Sequence, residues 1–239
     1  MEFMSDVVGF FSDPATWSGI DGVPNRLWEH VQLSGFAIGC AALVAIPAGI
    51  FIGHAGFGAF LAVSVINIGR ALPSFAILAV ALPLTIRLGI AYGFWSTFAA
   101  LFLLALPPMF TNAYTAIRGV DPQSVDAARG MGLRERDVLS RVELPLGAPV
   151  ILAATRVAAV QVVATASLGA VIGWGGLGRF IIDGIAKRDF DEVFAGALLV
   201  ALLAVVTELF FSLLERILLP AGVQRMTRAD AGVLSGHAA

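Results

Sequence analysis

The side chains able to do chemistry in this chain fall mostly in one stretch, Gly119 to Pro145 (GVDPQSVDAARGMGLRERDVLSRVELP). It holds Arg129, Arg134, Arg136 and Arg141 together with Asp121, Asp126, Glu135, Asp137 and Glu143. Their order resembles neither a nucleophile–base set nor a metal site. His30, His54 and His237 are scattered, Cys40 is the single cysteine, and neither H-E-x-x-H nor zinc spacing occurs. A P-loop, G-x-x-x-x-G-K-[ST], is also missing, so the chain is not expected to hydrolyse ATP itself. Gly173, Gly175 and Gly178 do spell G-x-G-x-x-G. A dinucleotide site needs that motif between a strand and a helix, with an acid about 20 residues further on. Here it follows a long apolar run and reads as a tight turn. Trp174 within it reads as an interfacial anchor, with a cation–π contact to a quaternary ammonium as the other reading. What remains for the charged stretch is docking: flanked by apolar runs, it is expected to face the cytoplasm and seat against a partner.

The elements that must position it are membrane spans. The chain is 58% hydrophobic and 13% charged, against about 25% charged in a soluble domain, and its mean hydropathy is +0.88. Polar surface is too scarce to cover it in water. A net charge of −2 without a dense basic patch gives no nucleic-acid footprint, and one cysteine permits no intrachain disulfide. The first residues lack the basic region of a cleaved signal peptide, with no Lys or Arg before Arg26.

In chain order, residues 1–30 mix aromatics with acids and prolines and are expected to lie at the membrane boundary on the outer side. Val31 to Gly53 is a first, uncharged span. Gly58 to Ile86, interrupted by Arg70, Pro73 and Pro83, is either one kinked span or an interfacial helix followed by a shorter span. Leu88–Ile117, Gly147–Ile172 and Val193–Leu219 complete five spans, with six possible if the second region divides. The membrane body is thus 31–220, with the charged stretch 119–145 inside it, and 221–239 is a tail. The expected fold class is all-α, a polytopic membrane helical bundle. The arginines of 119–145 and Arg216, Arg225 and Arg228 of the tail fall on one side of a five-span chain. The positive-inside rule makes that side cytoplasmic and puts the N-terminus outside. Lys187 and Arg188 then lie outside, against the rule, accompanied by Asp183, Asp189, Asp191 and Glu192.

Inside the charged stretch, Asp121-Pro122 is a helix start, an N-cap acid before a first-turn proline. A short helix over about 122–129 is expected to break at Gly130 and Gly132. A second, over about 133–142, is expected to stop at Pro145, with Leu139 and Val142 on one side. Two short helices at a glycine elbow form a knob suited to a partner's groove. Arg70, Arg156 and Glu208 interrupt apolar runs, and intramembrane charges pair or face a cavity. Arg156 and Glu208 both fall in the inner half of their spans, which makes them candidates for a pair.

The spacing inside the stretch carries a family resemblance. Asp126-Ala127-Ala128, three residues, Gly132, nine residues, Val142, one residue and Leu144-Pro145 resemble the "EAA" loop of ABC-importer permeases. Asp replaces the family's Glu and Val its Ile. GVDP, AARGMG, VELPLGAPVI, IGWGGLG and the NIGRALPSFA segment with Asn67, Pro73 and Ser74 are similar to the osmoprotectant branch, importers of glycine betaine, choline, carnitine or proline betaine. The resemblance implies a type I ABC-importer transmembrane fold. It implies ATPase coupling through Asp126, Ala127, Ala128, Gly132, Val142, Leu144 and Pro145. Asn67, Arg70, Arg156, Trp174 and Glu208 become candidates for the translocation pathway. Implied partners are two ATPase subunits carrying ATP and magnesium, a second permease (a copy or a paralogue), a substrate-binding protein and the bilayer of the inner membrane. No cofactor is expected on this chain. A permease for methionine or another amino acid shares the loop. An ion-driven secondary transporter would require an internal inverted repeat, and none is evident.

Overall fold

The structure is a computed structural model that describes residues 2–56, 60, 64 and 73–219. Every element among these residues is helical. After a short helix α1 (Glu2–Ser12) and a 3-10 turn, α2 (Val23–Ala55) runs for 33 residues. It begins eight residues before the uncharged run that the sequence marks as the first span. The additional turns are polar, and their charges are matched: Arg26 pairs with Asp21 and, at 2.8 Å, with Glu29. A helix can therefore extend out of the hydrocarbon with no unpaired cost.

The buried face of α2 repeats every four residues as Leu33, Ala37, Ala41, Ala45, Gly49 and Gly53. The facing helix α4 (Tyr92–Arg118) presents Thr97, Leu101, Ala105, Met109, Ala113 and Ile117 with the same period. Ridges of this kind interlock, and small residues bring the backbones close, which is how helices associate in a medium as apolar as their own side chains. A Cβ on Gly49 would stand 2.6 Å from the Phe110 carbonyl, and one on Gly53 3.0 Å from Ile117 Cβ. This pair, with Ala158, Val162 and Ala166, forms the main core.

Of the region 58–86, the structure describes chiefly α3 (Ser74–Arg87), whose 14 residues reach about 21 Å. It joins α4 through a 2.8 Å hydrogen bond between Thr85 and Ser96 hydroxyls. The rest of that region, with Asn67 and Arg70, lies outside the described residues, as does the tail 221–239. Among the described residues, four helical stretches are long and apolar enough to cross a membrane: Val23–Ala55, Tyr92–Arg118, Glu135–Ile172 and Phe190–Leu218.

The charged stretch contributes α5 (Pro122–Gly130) and α6 (Glu135–Val138). A π-helical turn, Leu139–Glu143, leads into α7 (Leu144–Thr165), which ends in a 3-10 segment, Ala166–Ile172. The expected stop at Pro145 does not occur. Helix runs unbroken from Glu135 to Ile172. The π turn is the physical reason: Leu144 N–H bonds back five residues, to Leu139 O, and the widened turn accommodates a proline that has no N–H of its own to offer. An amphipathic helix α8 (Gly178–Lys187) follows. The last span, α9 (Phe190–Leu218), buries only Ala195, Gly196 and Val200 and leaves a long apolar surface uncovered, as lipid-facing helices do.

Candidate functional site

In the charged stretch, the Asp121 carboxylate accepts hydrogen bonds from the Gln123 and Ser124 amides at 3.2 and 3.3 Å, satisfying two donors at the start of α5. The helix continues through Gly130, so the break is narrower than the sequence reading places it. The chain turns at Met131 and Gly132, where φ is +85°. Gly132 N–H returns to Arg129 O and Leu133 N–H to Ala128 O. Val120, Val125, Ala128 and Val138 are buried together, with Leu133 and Val142 packed on them. The second helix thus turns Val138 inward, where Leu139 was expected to share the apolar side with Val142. Of the motif residues, Ala128 is interior, Val142 is half-buried, Leu144 and Pro145 open the long helix, and Asp126, Ala127 and Gly132 are exposed. Met131, 75% exposed beside them, had no signal in the spacing.

Charge fastens the elbow from outside. Arg129 reaches Glu135 through Nε and Nη2, both at 3.0 Å, a bidentate pair across the turn. The hydrogen bonds that Arg129 donates to Glu135 raise the Arg129 pKa above its ordinary value. Arg129 also lies 3.7 Å from Asp126, and Arg141 lies 3.8 Å from Asp137. Beneath the knob, His54 at the end of α2 donates through Nδ1 to Glu143 at 2.6 Å. Glu143 is 5% exposed. A polar cavity of about 200 Å³ lies alongside, lined by His54, Arg118, Asp126, Arg129 and Glu143 among others. The sequence reading missed His54 and Glu143 as a pair, because the partners are 89 residues apart.

Among the residues singled out within apolar runs, the structure brings Arg156 and Glu208 together at 3.4 Å and adds Glu215 at 3.6 Å. Glu215 is seven residues beyond Glu208 and so lies on the same side of α9. Trp174 is elsewhere, edge-on to Phe94 with ring centroids 5.1 Å apart, at the end of an aromatic ladder through Phe98 and Phe102. The glycine turn around it is clamped from α2. Glu29 accepts from Gly176 N–H at 2.8 Å. His30 Nε2–H donates to Val163 O at 2.8 Å, leaving Nδ1 to accept from Leu177 N–H at 3.3 Å. The motif is a turn between transmembrane helix and surface helix, with no strand before it.

The family of binding-protein-dependent transport system inner membrane components matches residues 45–220. Choline transport system permease protein OpuBB of Bacillus subtilis (strain 168) is 36% identical over 201 residues, 84% of this chain and 90% of that one. Carnitine transport permease protein OpuCB of Listeria monocytogenes is 36% identical over 83% of this chain and 89% of its own length. Osmoprotectant import permease protein OsmW of Salmonella typhimurium is 32% identical over 82% and 92%. Among solved structures, the inward-facing MetNI methionine ABC transporter in its native crystal form superposes with a TM-score of 0.73 at 19% identity, over 86% of this chain and 98% of that one. That likeness is one of fold.

Proposed function

We propose that this chain, which belongs to the family of binding-protein-dependent transport system inner membrane components, is the permease subunit of an ATP-driven importer for an osmoprotectant of the choline, carnitine or glycine betaine class. The observation that carries the reading is identity of 32–36% to permeases of that class, over more than four fifths of both chains. The chain is a multi-pass membrane protein by its family and by the four long apolar helices among its described residues. Its N-terminus lies outside, and the knob and C-terminus lie in the cytoplasm.

The knob's exposed face, with Asp126, Ala127 and Met131, seats in a groove of a partner ATPase that holds ATP and magnesium; this chain binds neither. Gly132 sets the angle of that face. Val142, Leu144 and Pro145 join it to the fourth span. The mechanical argument is the unbroken helix: a displacement of the knob moves Glu135–Ile172 as one rod. A second permease and a binding protein that delivers substrate complete the assembly. Arg156 and Glu208, with Glu215, offer charged groups inside the membrane along the pathway, and Asn67, Arg70 and Trp174 are further candidates for its lining.

The test is uptake by the chain reconstituted in vesicles with its ATPase and binding protein, against choline, carnitine, glycine betaine and methionine. The expected result is ATP-dependent uptake of at least one quaternary ammonium compound. Uptake that persists without ATP, or of methionine alone, overturns the proposal. Cysteine labelling at positions 134 and 188 should find the first reachable only from the cytoplasmic side and the second only from outside.

A further inference from the structure

We infer that His54 is a positioning residue that clasps the cytoplasmic end of the first span to the coupling knob through Glu143. The inference rests on the coupling role proposed for the knob. His54 is the next-to-last residue of α2, placed by the close approach of Gly49 and Gly53 to α4. Its Nδ1 meets Glu143 at 2.6 Å and its Nε2 lies 3.6 Å from Glu135. Nδ1 is within hydrogen-bond distance of Glu143, whereas Nε2 faces Glu135 beyond hydrogen-bond distance. Glu143 is a 5%-exposed carboxylate within the π turn, the segment where the knob's helix becomes the fourth span. A carboxylate buried there needs a partner, and His54 is the one the structure supplies.

The remaining charges around the ring are Arg129 and Asp126 on α5 and Arg118 at the end of α4, all lining the same cavity. Arg129 is engaged by Glu135, and the imidazole is the group in hydrogen-bond contact with Glu143. The clasp therefore ties the knob, through His54, to a helix that also holds the outer glycine turn, through Glu29 and His30. Motion imposed on the knob is passed to the first span as well as to the fourth.

The experiment measures ATP hydrolysed per substrate molecule taken up by the reconstituted transporter, for His54→Gln, Glu143→Gln, the double variant and His54→Lys. Each single glutamine variant should raise the ratio about tenfold, the effect of losing one charge-assisted hydrogen bond, with the KM for ATP unchanged. The double variant should be no worse than the worse single. His54→Lys, which places an N–H donor beside Glu143, should restore coupling. Wild-type ratios in both single variants, multiplicative losses in the double, or a lysine variant as uncoupled as glutamine would each overturn the clasp. If His54→Gln does not assemble, Glu143→Gln and His54→Lys decide: coupling lost in the first and kept in the second is the expected pattern. Gly132→Val in the same assay separates the two readings. Uncoupling there with unaffected His54 and Glu143 variants removes the clasp alone, whereas ATP-independent uptake by the wild type removes the proposed function.

Discussion

Two glycines two residues apart in the knob should respond in opposite directions to substitution. Gly132 has φ +85°, and a Cβ there meets nothing within 4 Å. The whole cost of a side chain is then torsional. For a β-branched residue it is about 1–2 kcal/mol, or a factor of about 5–30 in the population of the native elbow. Gly130 also has open space within 4 Å, but its φ is not in the left-handed region and it closes α5 as a helical residue. Alanine there should be neutral or should stabilise by about 0.5–1 kcal/mol. The assay is amide hydrogen exchange across residues 122–143 in the assembled transporter, with ATP hydrolysed per substrate as the functional readout. Gly132→Val should lower protection at Leu133 and Val138 by about 5–30-fold and uncouple hydrolysis from uptake, while Gly130→Ala preserves both. A Gly132→Val variant with wild-type protection, or a Gly130→Ala variant that loses it, refutes the torsional argument.

At the helix interface, Gly49→Leu should lower the Tm of the purified protein by the equivalent of about 1–3 kcal/mol, because its Cβ meets backbone that cannot yield. Gly39→Leu, with open space around its Cβ, should not. In the outer turn, Gly175→Ala would place a methyl on the Glu29 carboxylate and displace it from Gly176 N–H. The expected loss is about 1.5–3 kcal/mol, measured by thermal unfolding, and Gly175→Ala should cost little more once Glu29 is already alanine. Between α7 and the last span, Arg156→Ala should destabilise by on the order of 1–3 kcal/mol because it leaves Glu208 and Glu215 without their cation. Combining it with Glu208→Gln and Glu215→Gln should recover most of that loss; additive losses would show that the charges act independently.

Much of this was legible in the residues. The apolar runs located the four long helices among the described residues, since a backbone in lipid must satisfy its own hydrogen bonds and a helix is the local way to do so. Asp121-Pro122 announced the start of α5 because capping is settled within three residues. The motif spacing named the family. Pro145 misled, because its local preference to end a helix was answered by the π turn before it, and that turn depends on packing. The start of α2 also misled: the polar residues Asn25, Arg26 and Glu29 argue against a span until their partners are known.

By itself, then, the sequence determined an all-helical membrane chain, its approximate spans, the knob and the importer family. Each of these depends on composition or on neighbours a few residues apart. The tertiary structure decided how the knob is joined to the membrane. Glu143 finds His54 across 89 positions, Gly176 finds Glu29 across 147, and Arg156 gains Glu215 beside Glu208. The first two form on α2, whose small-residue stripe meets α4 closely, and the third forms where α7 packs on α9. No periodicity along the chain encodes that register.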